Sequence, residues 1–589
     1  MRKRLVCISL LILVVSAGAQ DPTASTTSSG APVFGETILV KVVNVDVYVT
    51  DRKGNPITGL TEADFEIFEN KSEVRLSNFY EFREGTEVAL PAEDGVVVEE
   101  EAPAPRRRED LFTSHPGLEK STVPAHQRLN LVVYVDHFNI TPGARNRLFR
   151  YLRPFLRTKM DRNDRVMLVS YNRSVKVERP FTSDPELIAA ATYDLERHTG
   201  GRTTYMSERA DLLDDIDDDQ DRADYYSMRA RVRLHAENVY NDLQFTVDGL
   251  NEVVSKMAGI PGRKALLYVS EGLQLRAAED LFFALGERFR EGRDSQAAGE
   301  HIMESMQFDA SRMFTTLADL ANANRVSFYN IDAAGLRVGG LRSAEYRGSL
   351  FSTNIDSVHT RNLQDTLLYL SDRTGGRAIV GTNNFLDGLS QIGSDFENYY
   401  SLGYSPAHSG SGRRYKIDVK LTKATQKRLG KTRLRYRDSY QDKPVRQEMG
   451  DATLATLAYG FQSNELGVRL VPRQQIRREK GDYLVSMDVR LPLRTVELIP
   501  SGELYHGKVR VWAQAIDNKG RTSNVQENRW PLQVKATDFE RVRTDGSYMV
   551  YELKLVMRAG EQKVAIAVRD ELTANASYIS QGLTVGPVG

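Results

Sequence analysis

The sequence predicts a multidomain chain, with a doubly wound, mainly parallel α/β core flanked by β-sandwich-like elements and followed by an all-β domain. Three observations predict it. Leu129–Asp136 is an almost unbroken apolar run closed by a carboxylate. It is too short to span a membrane and reads as a central parallel strand buried on both faces. From there to about residue 380, short apolar runs alternate with helical patterns, as repeated βα units do. On both sides of that region the pattern changes to strand alternation separated by turn residues.

Residues 1–19 are a charged start, an apolar run over 5–15 and a small-residue end at Ala17, Gly18 and Ala19. That is the pattern of a signal peptide. The single cysteine of the chain, Cys7, lies within it. The expected product is exported, to the periplasm, cell surface or extracellular space, and its domains are held by core burial without disulfides. No later segment is apolar enough to cross a membrane. Residues 20–36 are Ser/Thr-rich and read as a disordered leader.

Residues 37–84 read as a small β unit. Val40, Val42, Val45, Val47 and Val49 nearly alternate, Asp51, Gly54 and Pro56 supply turn chemistry, and Thr61 and Asp64 have capping-box spacing. A unit this small buries too little to stand alone. Residues 85–127 read as a flexible linker, with acids at 99–101, arginines at 106–108, interspersed prolines and no apolar period.

The α/β core spans 128–395. Strands are expected at 129–136, 165–171, 264–271, 326–331 and 377–380, with a shorter one at 174–179 pairing antiparallel at an edge. Helices are expected at 143–159, 185–198, 308–324 and 362–374. The region 206–257 is too long for one globular helix and reads as a hairpin or broken helix inserted on the rim. Residues 396–440 return to β, 441–449 read as a boundary, and 451–589 read as a β-sandwich of about seven strands. The flanks 37–84 and 396–440 are expected to pair into one sandwich with the core inserted between them.

Formal net charge is zero, so no global field favours nucleic acid or an anionic membrane. Neither H-E-x-x-H nor G-x-S-x-G occurs, and no enzyme activity is expected. Asp217, Asp219 and Asp221 begin like a calcium loop, but Arg222 and Met228 stand where its glycine and glutamate belong. The stretch reads as a solvated helix face. Arg145, Arg147, Arg150, Arg153 and Arg157 are spread around their helix and read as solvated surface.

One resemblance covers roughly residues 40–440. It is carried by Val47 to Pro56 with Leu60 to Glu69, by Leu131 to Asp136, by Asp164 to Ser170, by Leu267 to Gly272 and by Tyr400 to Pro406. In this order they resemble the bacterial VWFA-related secreted proteins, described mainly from acidobacteria, whose core resembles the von Willebrand factor type A (VWA) domain. The resemblance implies a Rossmann-like fold and a role in binding proteins. It also implies a divalent metal held by Asp-x-Ser-x-Ser after the first strand, a Thr in a second loop and an Asp in a third. Here Asp136 matches the first Asp, but Phe138 and Ile140 stand at the two Ser positions. The Thr loop falls at Gly200 to Thr204, and the third Asp appears as Glu271 or is lost at Ser270.

The metal site is therefore degenerate. No cofactor is expected. The alternative is Mg²⁺ or another divalent cation on Asp136, Thr203 and Glu271, with Asn139 or Thr141 compensating for the lost oxygens. Without metal, Asp136 caps the following helix and bonds loop amides. The expected function is non-catalytic, adhesion-type binding of a protein partner through a rim of Asp136, Asn139, Thr203, Thr204 and Glu271. On that reading Asp136→Ala weakens binding without unfolding the chain. The alternative is an architectural or assembly protein of the cell envelope acting through its β domains.

Overall fold

The computed structural model describes residues 41–83, 86–88, 128–159, 164–218, 222–289, 301, 303–337, 351–479 and 481–586. Residues 1–36, expected as signal peptide and leader, and all of the expected linker except 86–88 lie outside the described residues.

The core sheet is built from β6 (Leu129–Asp136), β7 (Arg165–Tyr171), β8 (Val175–Thr182), β9 (Arg263–Ser270), β10 (Val326–Asp332) and β11 (Arg377–Ile379), in the order β11-β10-β9-β6-β7-β8. All neighbours are parallel except β7 and β8, so β8 closes one edge as an antiparallel strand. Every residue of β6 is buried. Its odd-numbered side chains, Leu131, Val133 and Val135, pack with helices Pro142–Lys159, Pro185–Leu195 and Phe385–Glu397. Val132 and Tyr134 face the other way, under helices Arg222–Lys256, Ser311–Ala323 and Phe351–Thr374. The strand alternation of side chains thus makes two helix-covered faces from one apolar run.

The long helical region is two helices, Arg202–Asp218 and Arg222–Lys256, joined by an ion pair of 2.5 Å between Asp215 and Arg231. Of the acidic run, residues 219–221 lie outside the described residues. Several helices run beyond or outside the expected elements. Phe351–Thr374 starts eleven residues before the expected 362, and Glu279–Arg288 and Phe385–Glu397 fall where no element was expected.

On the amino-terminal side of the core lie β1 (Val43–Thr50), β2 (Phe65–Glu69), β3 (Ser72–Val74), β4 (Leu76–Arg83) and β5 (Thr86–Val88). After it come β12 (Asn398–Tyr404), β13 (Arg414–Leu421), β14 (Arg433–Arg435) and β15 (Ser439–Gln441). These flanks interleave into two sheets, β14-β1-β12-β4-β5 and β15-β13-β2-β3. β1 pairs antiparallel with β12, with Val45 opposite Leu402 and Val47 opposite Tyr400. Val45, Val47, Val49, Tyr400, Leu402, Ile417 and Val419 share one apolar cluster between the sheets.

This β body sits at the amino ends of the core strands. Arg263, first residue of β9, donates to Tyr48 Oη at 3.0 Å and to Phe396 O at 2.9 Å and stacks 3.7 Å from the Tyr399 ring. Beside it, buried Asp395 accepts from Arg435 at 2.5 Å and from Arg377 at 3.1 Å. The carboxyl ends of the core strands are left at the far side.

The expected boundary at 441–449 and the all-β reading from residue 451 need correction. Val445–Tyr459 is a helix, ended by Gly460 in the left-handed region. It places Met449 against Trp512 and Ala567 and Ala455 in the core. A Cβ on Gly259 would stand 2.1 Å from Asp451 O, so only glycine lets the core approach this helix. Its buried Thr453 and Thr456 hide the apolar period because their hydroxyls bond back to Met449 O and Ala452 O.

Beyond it the described chain is β apart from the short helix Phe539–Thr544 and two 3-10 turns, with strands β16 (Ser463–Asn464), β17 (Arg469–Arg477), β18 (Tyr483–Pro492), β19 (Ile499–Ser501), β20 (Leu504–Asp517), β21 (Gln526–Lys535), β22 (Tyr548–Met557), β23 (Gly560–Asp570) and β24 (Ala576–Val585). They form a six-stranded and a three-stranded sheet sharing one core that includes Val485, Leu491, Val511 and Trp530.

At ~25 cal/mol per Å² of apolar burial, neither flank alone offsets the ordering of its own backbone. A truncated chain beginning at Gln127 is therefore expected to expose Tyr400, Leu402, Ile417 and Val419 and to aggregate, whereas one beginning at Thr37 stays soluble. Equal solubility with cooperative melting of both, followed by light scattering and calorimetry, would contradict this.

Candidate functional site

The carboxyl ends of β6, β9 and β10 converge, and each strand delivers a carboxylate there. Asp136 ends β6 and is fully buried. Its Oδ1 accepts from the Asn139 backbone N–H at 3.0 Å, and its Oδ2 accepts from Asn139 Nδ2 at 2.9 Å and Tyr268 Oη at 2.5 Å. Burial pushes its carboxyl up to about 6, against the pull of those donors. The same burial and the neighbouring Asp136 charge raise the Tyr268 phenol. Asn139 covers Asp136 and also donates to Thr246 Oγ1 at 3.2 Å on the helix opposite.

Glu271 follows β9 and is also buried. Its Oε1 accepts from the Thr141 backbone N–H at 3.0 Å and Thr141 Oγ1 at 2.5 Å, while Oε2 faces Arg202 Nε at 3.5 Å. Its own N–H donates to Asn139 O at 2.8 Å. The turn behind it needs Gly272, at φ +94°, because a Cβ there would meet Leu363 O at 2.7 Å. Ser270 is buried and accepts from the Gly272 N–H at 3.0 Å.

Asp332 ends β10. Its Oδ1 accepts from Arg337 Nη2 at 2.9 Å and the Ala334 N–H at 3.1 Å, and its Oδ2 from Gln364 Nε2 at 2.9 Å. Arg337 Nη2 also reaches Glu271 O at 2.6 Å. Arg147 donates to Ala333 O at 2.8 Å and Ala334 O at 2.7 Å. The crevice is thus occupied by guanidinium groups of this chain. Burial and the nearby Arg202 hold Arg337 below its ordinary value, while Asp332 and Glu271 pull it back.

The second loop lies against the first. Gly200 and Gly201 press so closely on it that a Cβ would stand 1.6 Å from His137 O and 2.6 Å from the Phe138 ring. This places Thr203 and Thr204 at the first turn of Arg202–Asp218, both exposed. His137 is buried beneath, 3.0 Å from Arg145, and burial with the nearby arginine holds its imidazole down at about 3.

The expected rim residues therefore separate. Asn139, Thr203 and Thr204 lie at the surface or half-buried, and Asp136 and Glu271 lie beneath them with their oxygens engaged by the chain's own donors. Asp136 is not on the rim, so its substitution acts on stability first. Nor does it cap the following helix: Thr141 Oγ1 accepts from the Ala144 N–H at 3.4 Å, while Asp136 bonds the loop amide. Ile140 is in the core, and Phe138 is half-buried with the Arg173 guanidinium 5.0 Å from its ring. The donor set does not fit a divalent cation, which needs a shell of about six hard oxygens anchored on at least one free carboxylate, because the oxygens of Asp136 and Oε1 of Glu271 are taken up by this chain's own donors and Oε2 of Glu271 faces Arg202. Among the described residues, no three His, Cys, Asp or Glu side chains are grouped to hold one.

The arginine helix also differs from its reading. Arg145 and Arg153 are buried. Arg145 donates to His198 O and Glu196 O, both at 2.7 Å, and Arg153 pairs with Glu196. Sequence reasoning missed Asp332, Arg202 and Arg337. Asp332 carried the same signal as Asp136, a carboxylate closing an apolar strand, whereas the arginines gave none.

No protein-family model matches the chain, and no curated protein matches its sequence. Parts of it align with solved structures. An aerotolerance-related membrane protein from Bacteroides fragilis is 11% identical with a TM-score of 0.22, over 46% of this chain and 98% of that one. The PilB minor pilin from Streptococcus sanguinis is 9% identical with a TM-score of 0.25, over 47% and 64%. The pilus adhesin SpaC from Lactobacillus rhamnosus GG, in an open conformation, is 8% identical with a TM-score of 0.25, over 79% and 53%. At these TM-scores the likenesses carry no argument about fold, site or partner.

The folded state holds the Asp136 proton more tightly than an unfolded chain does, where a carboxyl titrates near ~4. This group's contribution to stability therefore falls as pH rises from about 4 to about 6 and is flat above. The unfolding free energy of the wild type minus that of Asp136→Asn is expected to be about 2 kcal/mol larger, that is more stabilising, at about pH 4.5 than at about pH 7.5. Denaturant titrations giving the same difference at both values would contradict the assignment.

Proposed function

We propose that the chain is an exported, non-catalytic protein-binding protein of adhesion type, whose VWA-like core uses the loops at the carboxyl ends of β6, β9 and β10. The family resemblance of the sequence suggests the role. One observation carries the reading of this site: all three strand-end carboxylates, Asp136, Glu271 and Asp332, are engaged by this chain's own donors. No carboxylate there is left as a free base or as the nucleus of a metal site, and the loops above are held rigid. A rigid rim with Thr203 and Thr204 outward, beside half-buried Asn139 and Phe138 and the exposed Arg173, is a surface for a protein rather than a pocket for a small substrate. Binding there requires no metal.

The alternative is an architectural role in the envelope, in which the C-terminal sheets mediate assembly. Immobilised chain lacking residues 1–19 distinguishes the two when it captures proteins from extracts of its source. The proposal expects a captured protein whose binding falls at least tenfold, about 1.4 kcal/mol, in Thr203→Glu/Thr204→Glu, with melting unchanged. Capture that ignores this variant and cross-links only to residues 463–585 would overturn it in favour of assembly.

A further inference from the structure

The 35-residue helix Arg222–Lys256 buries one face and leaves the opposite face bare. Val232, Ala236, Leu243, Leu250 and Val254 point into the chain. On the far side, steps of four and three alternate from Ser227 to Glu252, and every residue at those steps is exposed. Leu234 and Phe245 are each 59% exposed. Alternating steps of four and three are the spacing of a two-helix seam, here about 38 Å long.

The order of residues along this seam is self-complementary. Take the midpoint between Val239 and Tyr240 and turn a second copy of the helix end for end about it. Asn238 then meets Asn241, Leu234 meets Phe245, Arg231 meets Asp248, and Ser227 meets Glu252. Both apolar residues find an apolar mate, and the charges of opposite sign meet. The central Asn pair is the kind of polar seam contact that sets register. A parallel copy would put Arg231 on Arg231 and Asp248 on Asp248, which is repulsive. Among the described residues Asp248 has no ion-pair partner, whereas Arg231 holds Asp215 and stays half exposed. The acids beside the seam are already paired, Glu237 with Arg233 at 3.2 Å and Asp242 with Arg173 at 2.9 Å. Among the described residues none covers these positions, so the seam is open to approach.

We propose that this face is a homodimer interface: two copies of the chain pack their Arg222–Lys256 helices antiparallel, Leu234 against Phe245 of the other copy, about a two-fold axis at Val239 and Tyr240. The contact is isologous, so it closes at two copies. It is independent of the rim reading and presents two rims from one particle.

From residue 20 onward the sequence contains no cysteine, so introduced thiols report the register alone. Asn238→Cys/Asn241→Cys is expected to form a disulfide-linked dimer under mild oxidation, and Leu234→Cys, whose mate is Phe245, is expected not to. By sedimentation velocity the unaltered chain should show a concentration-dependent dimer below about 100 µM, in the ordinary range for a specific contact. Phe245→Glu should weaken it at least tenfold with unchanged melting, and Arg231→Asp several-fold, with Arg231→Asp/Asp248→Arg restoring it; both Arg231 variants lose the pair with Asp215, so their melting is compared with each other. A strict monomer at that concentration, a dimer indifferent to Phe245→Glu, or Leu234→Cys linking as readily as the double variant would each overturn the proposal.

Discussion

A parallel sheet covered by helices on both faces has no place for a charge except at the ends of its strands. That constraint governs this chain. β6 is buried along its whole length, and so is almost all of β9 and β10. Asp136, Glu271 and Asp332 can sit where they do only because partners are carried to them: the donors Asn139 and Tyr268 to the first, the donor Thr141 and the Arg202 counter-charge to the second, the donors Arg337 and Gln364 to the third. These partners come from the loop after β6, from β9, from helices Arg202–Asp218 and Phe351–Thr374 and from the segment after β10, so satisfying the carboxylates also fixes these parts against one another. The opposite end obeys the same rule with the signs reversed. Arg263, Arg377 and Arg435 stand at the amino ends and are met by Tyr48, Phe396 O and Asp395.

The body at the amino ends depends on strands that are far apart in sequence. β1 finds its partner in β12, beyond the entire core, and β2 finds β13. The closure cost of such a long loop is small because the core is itself folded and holds its ends together. Helix Val445–Tyr459 then ties the third part on, through Trp512 on one side and the loop at Gly259 on the other. These attachments leave the carboxyl-end loops uncovered among the described residues.

Much of this architecture was legible in the sequence. Unbroken Val and Leu runs reveal central strands, and two sets of alternating strands with unsatisfied apolar faces point to each other. Helices held by something other than an apolar stripe were not legible. Val445–Tyr459 buries threonines, and Glu279–Arg288 begins after Ala278 in the left-handed region with no side-chain cap. At the site, Asp136 was found because it closes its strand, and its depth was not. Exposure depends on what lies above, and Asn139 covers it only through a loop whose shape Gly200 and Gly201 decide. The choice of Arg202 and Arg337 as counter-ions joins residues with no periodic relation to Glu271 and Asp332, and helix propensity carries no trace of it. The burial of Arg145 and Arg153 escaped for the same reason: their partners are carbonyls and Glu196 at the end of another helix.

On this reading protein donors, and not a metal ion, complete the carboxylate shell of this crevice. Calorimetric titration of the purified chain with Mg²⁺ and with Mn²⁺, paired with thermal melting, tests it most directly. A specific site would stabilise the fold by about 2.7 kcal/mol once the ion is in hundred-fold excess over its dissociation constant. The expected result is no binding heat and no rise in melting temperature. Saturable heat with a matching stabilisation, both abolished by Glu271→Gln, would contradict it.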